Sequence, residues 1–180
     1  FRVGRTTGLA AKLDVVAEVE VRLDDETVAV EICRFKDERC TWYFVKPGWL
    51  EGVAEDEQLF AGEPHPYTVP LSQMVRDSLF FGMAVAQYLK TVETGWSLML
   101  QDWQAATVAL GLASLGLERH RAFLTLHNSY DSGGLADGEL VRVGMAPWKC
   151  YGGSEWATVL ERALRLVQEP ITTVSDQFAS

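Results

Sequence analysis

Near residue 70 the spacing of apolar residues changes, and this change constrains the fold more than any other feature of the chain. Before it, residues 19–23 and 27–33 alternate apolar and polar with period two, which predicts two strands, and Asp24-Asp25-Glu26 between them is a plausible turn. The β-rich run 40–45 stops at Pro47-Gly48, so residues 19–45 predict a small antiparallel unit. Residues 51–69 are acidic and interrupted by Gly and Pro, as expected of an irregular surface segment. After it, Met74, Val75, Leu79, Phe80, Met83, Ala84, Val85, Ala86 and Leu89 form a stripe with helical spacing over 71–92, for which Ser72 is a possible N-cap.

Two short apolar runs follow, at 96–100 and 122–126, and Ile171-Thr172-Thr173-Val174 reads as a third strand. Runs of this length and composition are what strands buried on both faces look like. Between the first two lies an Ala- and Leu-rich segment, 104–115, read as a helix ending at Gly116. A Gly-rich loop through Gly153 and a helix over 154–167, with Ser154 as N-cap and Glu155 in its first turn, separate the last two; Pro170 halts that helix. Strand, helix, strand, loop, helix, strand is the rhythm of a parallel sheet. The fold class expected is therefore α/β: a Rossmann-like three-layer domain with a mostly parallel sheet, plus the small antiparallel β unit, all within one domain over 1–180. Ligands of such sheets bind beyond the carboxyl ends of the strands. That rule selects Gln101-Asp102-Trp103, His127-Asn128-Ser129-Tyr130 and Ser175-Asp176.

Composition removes some classes of partner. A net charge of -9 argues against nucleic acid and anionic membrane surfaces, which need clustered Lys and Arg. No stretch approaches the roughly 18 continuous apolar residues of a membrane helix. The opening Phe-Arg-Val-Gly-Arg is no signal peptide, and because it lacks Met a processed chain or a fragment is expected. Cys33, Cys40 and Cys150 cannot all pair; Cys33 and Cys40 could meet across a hairpin, but reduced thiols in a cytoplasmic protein are the expectation.

Each polar residue at the strand ends admits both a binding role and a structural one. His127, just after a buried run and followed by Asn128, can donate hydrogen bonds into a crevice and polarise a sugar or phosphate oxygen; it can equally cap loop carbonyls. Asp102 can accept from sugar hydroxyls beside the Trp103 indole, or cap the helix near Gln104 while Trp103 packs into the core. Gly133-Gly134 and Gly152-Gly153 do not match a phosphate-binding loop and read as flexible loop. His65 and His120 are isolated, with no zinc-ligand spacing. Asp131 and Asp137 read as solvated loop carboxylates rather than cation ligands. Trp42-Tyr43-Phe44 reads as core rather than as a carbohydrate platform.

Three ordered segments carry a resemblance: Leu-Gln-Asp-Trp-Gln-Ala-Ala (100–106), Phe-Leu-Thr-Leu-His-Asn (123–128) and Ile-Thr-Thr-Val-Ser (171–175). They resemble the His-Asp-Trp-Gln/His, Phe-Thr-Ile/Val-His-Asn and Val-Thr-Thr-Val-Ser stretches of bacterial glycogen synthases and plant starch synthases. The stretch 21–48, with Tyr43-Phe44-x-x-Pro47-Gly48, resembles the segment before that family's Asp-Asn-x-x-Arg-Phe helix. The resemblance spans most of 19–180 and implies the N-terminal half of a GT-B glycosyltransferase, active in glycogen or starch biosynthesis. Such an enzyme transfers glucose from ADP-glucose or UDP-glucose to an α-1,4-glucan acceptor with retention, and needs no metal or other cofactor. It implies His127 beside the transferred glucose as the catalytic residue, and Asn128 and Asp102 as substrate-binding residues; Gln101 and Tyr130, at the same strand ends, join them. A plastid location is implied if the source is a plant or alga.

The sequence also departs from that pattern. Arg5-Thr6-Thr7-Gly8-Leu9 only faintly echoes the family's Lys-x-Gly-Gly donor-phosphate loop, Met99-Leu100-Gln101 replaces His-x-His, and Ser129-Tyr130-Asp131-Ser132-Gly133 replaces Leu-Ala-Tyr-Gln-Gly. No second, nucleotide-gripping domain is present in these residues. The expectation is an incomplete catalytic domain with weak or no turnover alone, binding a nucleotide sugar only together with that second domain. The alternative reading is a non-catalytic carbohydrate-binding or regulatory domain of the same fold. A hydrolase is disfavoured, because no G-x-S-x-G elbow occurs.

Overall fold

The computed structural model describes residues 9–61, 69–128, 130–151 and 156–174. Strands β1 (Asp14–Leu23), β2 (Glu26–Lys36) and β3 (Thr41–Pro47) form an antiparallel sheet in that order. Leu23 faces Glu26, so Asp24-Asp25 is a two-residue turn; Asp24 has φ 56°, a left-handed conformation that Asp tolerates. The alternation read from the sequence sorts Val19, Val21, Val28, Val30 and Ile32 onto a buried face, against which helix α1 (Leu71–Lys90) packs. Cys33 lies opposite Phe44, not Cys40, and all three cysteines are free thiols.

Two local expectations are corrected here. Trp42 and Tyr43 are 51% and 43% exposed rather than core, because β3 is the edge of its sheet. The Tyr43 ring meets Tyr88 at 5.7 Å and Trp96 at 6.4 Å near the surface. Helix α1 is capped by Pro70, not Ser72: Pro70 has an extended backbone (φ −55°, ψ 143°), and its carbonyl accepts the first helical bond, from Met74 N–H, at 3.0 Å.

Beyond α1 the chain forms β4 (Ser97–Gln101), α2 (Asp102–Ser114), β5 (Arg121–Leu126), β6 (Leu135–Ala136), α3 (Asp137–Arg142), β7 (Trp156–Ala157), α4 (Val159–Ala163) and β8 (Gln168–Thr173). Strands β4, β5 and β8 make a parallel sheet in that order, and β6 pairs with β7 in a short antiparallel ribbon. Helices α1 and α2 stand between the two larger sheets. They cross closely: a Cβ on Gly82 would lie 2.6 Å from the Thr107 backbone, and one on Gly111 would lie 2.7 Å from the Gly82 carbonyl oxygen. At that crossing the buried Thr107 hydroxyl donates to Ser78 O at 2.8 Å. The chain is thus a mixed α/β fold with a parallel sheet and a small antiparallel unit, the class read from the sequence.

Leu100, Ala122 and Leu124 lie buried in the parallel sheet, whose strands β4 and β5 pack on α2. Met99, on the other face of β4, is 61% exposed. Among the described residues β4 is an edge strand covered on one face, not a strand buried on both. The helix expected over 154–167 is the five-residue α4, because Thr158 and Glu161 form a capping box that starts it at Val159. Ser154 and Glu155 lie outside the described residues. Among those residues no helix is long and apolar enough to cross a membrane.

Candidate functional site

Parallel pairing of β4 with β5, in register from Ser97↔Arg121 to Gln101↔Thr125, brings the ends of both strands to one edge of the sheet. Strand β4 passes into α2 without a loop, and the reversal is made at Asp102, whose φ is 60°. The Asp102 carboxylate does not cap its own helix. Instead it accepts the backbone N–H of His127 at 2.7 Å, tying the end of β5 to the start of α2. Gln101 Oε1 lies 2.6 Å from His127 Nε2; an amide oxygen only accepts, so Nε2 carries the ring proton in this pair. His127 Nδ1 is then a lone-pair acceptor, able to take a hydrogen bond from a hydroxyl.

Gln101, Asp102 and His127 therefore converge. Asn128 and Tyr130 do so less directly. The half-buried Asn128 side chain accepts the Tyr130 N–H at 2.9 Å, a local turn that leaves the Asn128 NH2 as its donor group. Tyr130 is 78% exposed. Trp103 is buried, so of its two readings only core packing holds. Ser129 and Ser175-Asp176 lie outside the described residues, as do His65, Gly152-Gly153 and the segment 5–8.

Asp131 and Ser132, between β5 and β6, are tied to the start of α4. Asp131 Oδ1 accepts the N–H of Ser132 at 2.6 Å and of Leu160 at 3.2 Å, and the Ser132 hydroxyl accepts the N–H of Val159 at 2.8 Å. Both residues thus satisfy orphan donors at the start of α4. Asp137, far from being a solvated loop carboxylate, pairs at 2.8 Å with the fully buried Arg162. The same guanidinium donates to Leu135 O at 2.7 Å and Ala157 O at 3.3 Å, and sits 5.8 Å from the centre of the Trp148 ring. Burial pushes the Asp137 carboxyl up, but Arg162 and the N–H groups of Lys149 and Trp148 outweigh it, leaving its pKa below 3.8. Sequence reasoning missed Arg162; an Arg in an Ala- and Leu-rich helix gives no sign of facing inward.

His120 is structural. Its Nδ1 accepts the Trp96 N–H at 3.2 Å, so Nε2 donates to Leu89 O at 3.1 Å, and the ring joins the end of α1 to the start of β4.

Separately, and sharing no residue with the His127 cluster, a cavity of about 810 Å³ opens between the start of α1, helix α3 and the β6–β7 ribbon. Ser72, Arg76, Glu139, Arg142 and Trp156 are among its lining residues. The sequence reading also misses Trp156, because it places that residue inside the helix expected over 154–167, where the structure has a strand.

A parallel sheet with strand-end polar groups, a helix pair behind it and an antiparallel unit make a mixed α/β fold, consistent with one Rossmann-like half of a GT-B fold. Comparison with solved structures supports that assignment. The chain is similar to the catalytic domain of Starch Synthase IV from Arabidopsis thaliana bound to ADP and acarbose, with a TM-score of 0.62 and 17% identity over 87% of this chain and 33% of that one. The chain spans about a third of that neighbour's length, and identity so low shows the fold alone. No protein-family model matches the sequence, and no curated protein matches it.

Proposed function

We propose that this chain supplies the acceptor-side half of a retaining glucosyltransferase that moves glucose from ADP-glucose or UDP-glucose to an α-1,4-glucan. The observation that carries this reading is the convergence of Gln101, Asp102 and His127 where the sheet fold places ligands. His127 is the group beside the transferred glucose, its Nδ1 taking a sugar hydroxyl. Asp102 is a positioning residue that fixes the His127 backbone, and Gln101 fixes the ring. Asn128 and Tyr130 bind substrate further along the loop.

The chemistry asked of such a site is electrostatic: it must stabilise positive charge developing on the sugar and negative charge on the departing phosphate. Neutral acceptors and donors aimed at sugar hydroxyls suit the first task. The second needs cationic or N–H-rich groups, and the His127 cluster contains no Lys or Arg. Donor-phosphate binding is accordingly assigned to groups outside this cluster, and turnover by the chain alone is expected to be weak or absent. Titration calorimetry with maltoheptaose tests the reading. Saturable binding is expected, and a chain that neither binds maltoheptaose nor transfers labelled glucose from ADP-glucose to glycogen would refute it.

A further inference from the structure

The 810 Å³ cavity falls within the roughly 300–1,000 Å³ of small-molecule sites. One wall is the start of α1, where Leu71, Ser72 and Gln73 precede the first residue whose N–H finds a helical acceptor, and Pro70 offers no side-chain cap. The opposite wall carries Trp156, 67% exposed on a two-residue ribbon whose backbone is fixed by pairing with Ala136. An indole so exposed, yet held in place at the mouth of a cavity, presents a flat apolar face to whatever enters.

The charges decide which ligand fits. Both lining guanidinia are committed: Arg76 to Asp77 at 3.0 Å and to Gln58 O at 3.3 Å, and Arg142 to Asp24 at 2.5 Å and to Glu139 at 3.2 Å. Glu57 and Glu139 balance them within the lining, and Asp24 and Asp77 stand behind. A phosphate entering here would compete with the carboxylates of Asp24, Asp77 and Glu139 for its arginines and meet that of Glu57 besides. Hydroxyl groups face no such conflict, since the N–H groups of α1 can donate to them and the carboxylates can accept from them.

We infer that this cavity is a subsite for a neutral oligosaccharide, with Trp156 as its stacking platform. The inference rests on the glucosyltransferase reading only for the identity of the sugar. It is tested with the whole chain by calorimetry against maltoheptaose, cellohexaose and chitohexaose, with ADP as an anionic competitor, for wild type, Trp156→Ala and Trp156→Phe. The exposed position of Trp156 keeps its substitution away from the core, and circular dichroism checks that each variant is folded.

Trp156→Ala is expected to weaken binding about tenfold, the loss of one good stacking contact, while Trp156→Phe stays within about threefold and ADP does not compete. If maltoheptaose binds equally well to Trp156→Ala, or ADP displaces it, the cavity proposal is overturned and the glucan reading stands. If only another oligosaccharide binds, and does so through Trp156, the cavity stands and the α-glucan reading falls. A chain that binds none of the three overturns both.

Discussion

Asp102 makes two separable contributions, and a substitution series resolves them. Its φ of 60° lies in the left-handed region, which costs an ordinary L-residue about 1–2 kcal/mol and Asp or Asn less. Its carboxylate accepts the His127 N–H at 2.7 Å; a bond to a charged group is worth about 1.5–3 kcal/mol when buried, and this half-exposed one is discounted to about 1 kcal/mol. Asp102→Asn keeps an acceptor and the tolerance for positive φ, so it should cost about 0.5 kcal/mol. Asp102→Gly loses the bond but adopts the backbone freely, for about 1 kcal/mol. Asp102→Ala loses the bond and meets the backbone penalty, for about 2 kcal/mol. Urea unfolding at neutral pH, followed by tryptophan fluorescence, reads the three differences as midpoint shifts at constant slope. Destabilisation should rise in the order Asn, Gly, Ala. An Ala variant as stable as wild type would show that neither the turn nor the bond to His127 matters, and the positioning role of Asp102 would fall with it.

The crossing of α1 and α2 predicts that Gly111→Ala destabilises. Its Cβ would stand 2.7 Å from Gly82 O and 2.9 Å from Ala86 Cβ, an overpacking cost of about 1–3 kcal/mol that exceeds the roughly 1 kcal/mol of helix propensity gained; a rise in the urea midpoint would contradict this. The Arg162–Asp137 pair predicts a pH dependence. The folded pKa of Asp137 is depressed, so its contribution is present above 3.8 and lost as pH falls through the folded value. The urea midpoint should drop through that acid window in wild type and drop less in Asp137→Asn; equal slopes would deny the pair any role in acid stability. At neutral pH Arg162→Ala, which strands the Asp137 carboxylate and Leu135 O, should cost about 3–5 kcal/mol in the same assay.

What the sequence revealed and what it hid divide along a physical line. The strand ends at Gln101, Asp102 and His127 were legible because period and order place them: apolar runs separated by helical segments are the pattern of a parallel sheet, and such a sheet aligns its carboxyl ends. Nothing in the pattern says which face of a run will be covered. Met99 looked as buried as Leu100, and Trp42 and Tyr43 looked like core, because alternation sorts residues onto two faces without revealing whether anything lies above each one. The stretch before Val159 shows a second limit. Trp156 and Ala157 lie next to residues with helical spacing, yet they pair with Leu135 and Ala136, about twenty residues away. A two-residue ribbon leaves no periodic trace, since it is selected by what it packs against. Arg162 belongs with it, for its partners Asp137, Leu135 and Ala157 are assembled only once that ribbon forms. The ribbon and its buried arginine set the position of Trp156 and hence the mouth of the cavity. The part of this chain that local pattern could not show is therefore the part argued to choose its ligand.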